Sequence, residues 1–236
     1  MHPFDLWGTS HLAALGLTCA VPLLLAWLSR RGRSGRAGRV VAYGWAAILV
    51  GHIIVLFFWL DRGPSPRWQE MLPLQLCDLT LFACAIACVT RRQYAYELAY
   101  FWGLAGSSQG LFTPDLAFDY PAPHYWFFFI GHGGIVGAVL FLTAALGMRP
   151  HPRSIVRAYA ALLIYAAIAG LFNALAGTNY GYLRTKPLMP SMLDWLGPWP
   201  WYIVSMALMG LLLFALLYAP WAIADRVRSR ESSGKG

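Results

Sequence analysis

The chain has 236 residues, 58% hydrophobic and 12% charged, with a mean hydropathy of +0.53 and a formal charge of +8. A water-soluble domain carries about 25% charged residues, so this sequence lacks the polar material for a soluble surface and reads as a single integral membrane domain, residues 1–236. The basic residues lie in short clusters between apolar runs rather than in one footprint, which argues against a nucleic-acid partner, and the four cysteines sit inside apolar runs, which argues against a disulfide framework.

The N-terminal MHPFDLWGTSH has no basic n-region, so the first apolar helix is expected to remain rather than be cleaved as a signal peptide. Crossing about 30 Å of hydrocarbon takes about 20 helical residues. Seven stretches qualify: 9–28, 40–60, 73–90, 95–113, 125–147, 157–176 and 201–223. The fourth is the most polar, and it holds only if Glu97, Ser107, Ser108 and Gln109 face protein. Glu97 is expected to reach Arg91 or Arg92. A polar tail, 224–236, is expected to be irregular. The expected fold class is therefore all-α, a seven-helix transmembrane bundle.

Of the 18 Lys and Arg residues, 14 fall in the first, third and fifth loops and the C-terminal tail. Arg62, Arg67, Arg184 and Lys186 fall in the second and sixth loops, and none in the fourth loop or the N-terminus. The positive-inside rule then predicts an N-terminus outside and a cytoplasmic C-terminus, in a multi-pass protein of the plasma membrane. RRGRSGRAGR (30–39) reads as a topology signal, with an anionic-lipid site as the alternative.

With directions assigned, a rise of 1.5 Å per residue gives depths. Cys77 is expected about 6 Å below the start of the third helix at Pro73, His132 about 10 Å down the fifth and His52 about 12 Å below the outer face. With His11, Asp78, Gln109 and Asn173 they form one polar layer near the outer face, either a cavity or a set of interhelical hydrogen bonds. A cysteine nucleophile needs a base. His132 and His52 both lie at a suitable depth, and the sequence does not rank them. Asp78, about 100° around the helix from Cys77, is expected to orient a histidine or bind a polar headgroup. Cys84 and Cys88 read as packing residues. Ligands so spread along one helix cannot surround a metal ion, so no metal or cofactor is expected.

Gly133 and Gly137 have the GxxxG spacing that lets a neighbouring backbone come close. After the sixth helix, Tyr180, Tyr182, Arg184 and Lys186 suit either a phosphate headgroup or an aromatic belt with snorkelling cations. PDLAFDYPAPHYW (114–126) and DWLGPWPW (194–201) read as lids at the interface.

Four motifs in order, LPLQLCDLT, ELAYFWGLAGSSQGLFTPDL, HYWFFFIGHGG, and Asn173 with TNYGYLRTKP, resemble the YwaF-like bacterial integral membrane proteins, which are grouped with the eukaryotic transmembrane protein 164 family. The resemblance runs from about residue 40 to 223. It implies seven helices and, from the eukaryotic branch, transfer of acyl chains onto ether phospholipids by a cysteine nucleophile. By position that nucleophile is Cys77 and its histidine partner His132, while Asn173, Asn179 and Tyr180 fall in the shared loop motif. Asp78 stands where the eukaryotic proteins carry histidine, and Gly181 where a larger residue is expected.

The leading expectation is a lipid acyltransferase or transacylase acting near the outer leaflet on membrane phospholipids, with a lipid hydrolase sharing its first step. Asn173, Gln109 or backbone N–H groups are the candidate oxyanion donors. The alternative is a transporter or ligand-binding membrane protein with an outward-facing polar cavity. A homo-oligomer is compatible with either.

Overall fold

The structure, a computed structural model, describes residues 2–32, 35–58, 68–188 and 190–233. Arg33, Arg62, Arg67, Lys235 and the expected end of the second helix at residue 60 lie outside the described residues. Eight α-helical segments follow in order: α1 Thr9–Arg31, α2 Arg36–Phe58, α3 Leu76–Thr90, α4 Gln93–Trp102, α5 Ser108–Phe112, α6 Pro123–Leu146, α7 Ser154–Ala176 and α8 Trp201–Ser233. A π-helical turn, Gly103–Ser107, joins α4 to α5 with helical backbone angles at both junctions. These three pieces make one rod. The bundle therefore has the seven helices expected, and the only bridge among the described residues is an isolated one between Pro3 and Phe118.

Among the described residues, five helices (α1, α2, α6, α7 and α8) are long and apolar enough to cross a membrane. They play different parts. Some 61% of the apolar window of α6 is buried, against 11–17% for the other four. So α6 is the central span, and the outer helices present Leu24, Ile164, Ile168, Leu208 and Leu212 outward. Such faces suit hydrocarbon, where no hydrophobic force drives helices together and close packing of small residues does. Around α6 the core is built accordingly, from Ala83, Cys84, Ala87, Cys88, Ala99 and Ala138.

The glycines of α6 receive side chains rather than a neighbouring backbone. A Cβ on Gly133 would lie 2.8 Å from Thr18 Oγ1, and one on Gly137 would lie 2.7 Å from the Trp45 ring. The GxxxG spacing thus admits Thr18 of α1 and Trp45 of α2. Side chains of two outer helices fill the glycine gaps of the central span.

The third helix differs from its expected form. It begins at Leu76 rather than Pro73, with an extended Gln75 ahead of it, φ −67° and ψ 148°. Pro73 lies in a turn that closes through Leu74 N–H to the Leu72 carbonyl, 2.8 Å. Cys77 is consequently the second residue of α3, within its first turn. At the C-terminus, α8 continues through the stretch expected to be irregular, as far as Ser233. Residues such as Ala224, Arg226 and Arg228 favour helix, and Arg149 Nη1 holds Asp225 Oδ1 at 2.7 Å.

Residues 2–8, 68–75, 113–122, 177–188 and 190–200 gather at one end of the bundle. Phe4 N–H bonds the Ala117 carbonyl, Tyr180 the Gln69 and Leu72 carbonyls, and Tyr182 the Asp115 carboxylate. The arginine-bearing segments meet at the other end. There Glu97 is fully buried and pairs with Arg157 at 3.3 Å, while Gln93 Nε2 donates to it at 3.1 Å. Arg91 and Arg92 face outward, because Glu97 lies one turn into its helix on the side that meets α7.

Candidate functional site

A cavity of about 870 Å³ opens among the segments of the first end and extends into the bundle between α3, α5, α6, α7 and α8. Its size falls within the range of small-molecule sites, roughly 300–1,000 Å³. Of the polar layer read from the sequence, His52, Cys77, Asp78, Gln109 and His132 line it. The expected lid stretches 114–126 and 194–201 contribute Asp115, Leu116 and His124, and Leu196, respectively, so both border the cavity, with Ser191, Met192 and Leu193 just ahead of the second.

Cys77 is half-buried at the start of α3. The first ladder bond of that helix is Leu79 N–H to the Gln75 carbonyl, 3.2 Å. The N–H groups of Leu76 and Cys77 precede it, and such first-turn donors are not used within a helix. Asp78 caps the helix that carries the thiol, since its Oδ2 accepts the Gln75 N–H at 3.1 Å. A carboxylate at this position is also favoured by the helix dipole. The adjacency of Cys77 and Asp78 is thereby explained by local geometry.

His132 hydrogen-bonds the Phe128 carbonyl through Nδ1 at 3.2 Å and stacks on the Phe128 ring, centroids 4.2 Å apart. A carbonyl can only accept, so Nδ1 carries the proton and Nε2 keeps a lone pair. Gly110 makes room for this ring: a Cβ there would sit 3.2 Å from His132 Cδ2 and 3.4 Å from Nε2. His52 stacks on Phe127 at 4.3 Å and is accommodated by Gly131, whose Cβ would lie 2.7 Å from its Nε2. The two imidazoles thus flank one wall of the cavity. Among the described residues, Cys77 Sγ makes no hydrogen bond to either of them.

The remaining candidates are not in the wall. Asn173 is fully buried, with Oδ1 accepting the Tyr180 N–H and the Thr178 hydroxyl, each at 2.8 Å, and Nδ2 donating to the Tyr180 carbonyl at 2.9 Å. It holds the loop and cannot reach an oxyanion. His11 is also buried away from the cavity, where Nδ1 accepts the Trp7 N–H and Nε2 donates to the Leu111 carbonyl. Asn179 braces Arg184 and Thr185. Arg184 turns to the Asn173 carbonyl, and Lys186 to the Asp194 carbonyl and the Tyr202 ring, so neither cation lines the cavity.

The loop motif nevertheless acts on the site. The Tyr180 hydroxyl sits between the carbonyls of Gln69, 2.7 Å, and Leu72, 2.9 Å. Gly181 N–H donates to Gln75 Oε1 at 3.0 Å, and Tyr165 donates to the Leu74 carbonyl at 3.0 Å. The chain leading into α3 is thus held at Gln69, Leu72, Leu74 and Gln75, ending two residues before Cys77. Gly181 is required there, since its φ is +65° and a Cβ would meet the Tyr165 hydroxyl at 2.9 Å. Glu70, Gln75, Asp115, His124, Tyr165 and Tyr182 also line the cavity. Of these, only Tyr182 is a candidate in the sequence; Glu70, Gln75, Asp115 and His124 lie in or beside loops that the helix count assigns to one face of the membrane, and Tyr165 projects from the middle of α7.

Residues 6–218 match the family described as the TMEM164 family. The chain belongs to that family. A Treponema pallidum (strain Nichols) protein, described as uncharacterized, is 28% identical over 163 residues, covering 69% of this chain and 67% of that relative. No solved structure matches.

Proposed function

We propose that this membrane protein of the TMEM164 family is a phospholipid acyltransferase or transacylase, with Cys77 as nucleophile and His132 as base. The observation that carries the reading is the composition of one cavity: a thiol, an imidazole with a free Nε2 lone pair, and apolar walls leading into the bundle. In the first half-reaction His132 Nε2 takes the Cys77 proton while Sγ bonds the carbonyl carbon of a lipid ester. The C–O bond then breaks, and the leaving oxygen receives the proton from His132. In the second half-reaction an acceptor hydroxyl gives its proton to His132 and attacks the thioester. The C–S bond breaks and the thiol is restored. N–H groups at the start of α3, and Gln109, are available to the oxyanion. Sγ and Nε2 must close to about 3 Å for this transfer, which substrate binding has to supply. The arginine-rich end lies opposite the cavity, which supports an outward-facing site in the plasma membrane.

A second reading, a lipid-binding protein without chemistry, is favoured by the missing contact between Cys77 and the histidines. The test is a reconstituted protein in phospholipid vesicles with a labelled acyl donor. A Cys77 thioester and acyl transfer are expected, with Cys77→Ala lowering turnover by about 10²-fold or more. Full turnover in Cys77→Ala refutes the mechanism; chain-dependent lipid binding without any thiol adduct supports the second reading.

A further inference from the structure

We infer that the limb of the cavity between α7 and α8 measures the hydrocarbon chain of the ligand, with Gly210 the position that sets its usable depth and Phe214 its floor. This rests on the reading above that the ligand is a lipid. Along α8 the lining runs from Ile203 to Phe214, eleven residues or about 16 Å. That is close to one leaflet, half of a hydrocarbon core about 30 Å thick. Met206, Met209 and Leu213 of α8 and Leu162 of α7 line this limb. No charged side chain of either helix lines it among the described residues.

The floor is rigid. Phe214 is 1% exposed and packs against Phe101 and Tyr159, ring centroids 4.9 and 6.1 Å away. Trp102, also in the wall, is fixed by its Nε1–H to the Ala158 carbonyl, 3.1 Å. A chain that reaches this depth meets braced aromatic rings. The methionines above can adapt to its shape.

Gly210 has no packing reason to be glycine. At Gly131, Gly133 and Gly137 a Cβ would sit 2.7–2.8 Å from a neighbour, whereas at Gly210 the nearest atom, Leu162 Cδ2, is 3.7 Å away. Glycine is among the poorest helix formers, and a Cβ fits here without strain. What a side chain would remove is open space in the limb. Gly210 lies four residues before Phe214, so about 6 Å of the limb lies beyond it.

The test presents detergent-solubilised protein with mixed phosphatidylcholines of graded chain length and reads, by mass spectrometry, both the retained lipid and any Cys77 thioester. Gly210→Leu should lower the longest retained chain by on the order of four methylenes, and leucine favours the helix. Phe214→Ala should move the limit the other way. If both variants keep the wild-type distribution while lipid is still retained, the ruler is refuted and the lipid reading stands. If the wild type retains no acyl lipid and forms no adduct, the lipid reading itself fails and the ruler with it.

Discussion

Asn173→Ala should destabilise this protein far more than Asn179→Ala, although the two asparagines lie six residues apart in one motif. Asn173 is fully buried and satisfies both backbone groups of Tyr180 together with the Thr178 hydroxyl. Truncation removes the bonds that Asn173 makes to both backbone groups of the buried Tyr180, at about 1–3 kcal/mol each, a loss of about 4 kcal/mol. Asn179 is only half-buried and its bonds to Arg184 and Thr185 lie at the surface, so water replaces them, and the loss is about 1 kcal/mol. At about 2–4 °C per kcal/mol for a chain of this size, the melting points should separate by roughly 10 °C. The same variant should raise the alkylation rate of Cys77, measured with Cys19 replaced by Ser, because Tyr180 braces the chain leading into α3. Equal melting points for the two variants, with unchanged Cys77 alkylation, would refute this chain of support.

The buried Glu97 offers a second stability test. Glu97→Ala leaves Arg157 without its carboxylate and Gln93 with only the Arg149 carbonyl, and should cost about 2–4 kcal/mol, while Glu97→Gln, which keeps the Gln93 bond, should cost less; thermal unfolding in detergent compares them. Tyr182 provides a pH test. Burial, with Asp115 and Cys77 adding, pushes its hydroxyl up to about 12. A group with a raised folded pKa contributes stability fully present below its unfolded value, about 10, and lost as pH rises through the folded one. Stability should therefore fall between about pH 10 and 12, and Tyr182→Phe should flatten that step, as followed by ultraviolet absorbance and melting.

Several properties of this protein are determined by its sequence alone. Hydrocarbon tolerates only helices whose backbone groups are internally bonded, so apolar length settles the number of helices, and polar residues within them must turn toward protein. The polar loop motif and the glycines around His132 could likewise be read directly, because each departs from what lipid requires. Depth was legible only in part: a helix rises uniformly, so position along the chain converts into position along its axis, but α3 begins at Leu76 rather than Pro73, so Cys77 lies about 1.5 Å rather than about 6 Å below its start.

Azimuth and partner choice were decided by the tertiary structure. Cys77, His52, Gln109 and His132 reach one cavity, whereas His11 and Asn173, at comparable depth, turn into backbone hydrogen bonds. Which face of a helix meets its neighbour depends on how Thr18 and Trp45 fill the glycine gaps of α6, a matter of packing that no residue encodes by itself. The start of α3 shows the same division. LPLQLCDLT announces a helix, but its first turn is placed by the Asp78 cap together with Tyr165, Tyr180 and Gly181, about a hundred residues away in the chain. Local chemistry made the helix; contacts across the bundle decided that Cys77 stands at its opening turn, beside the cavity.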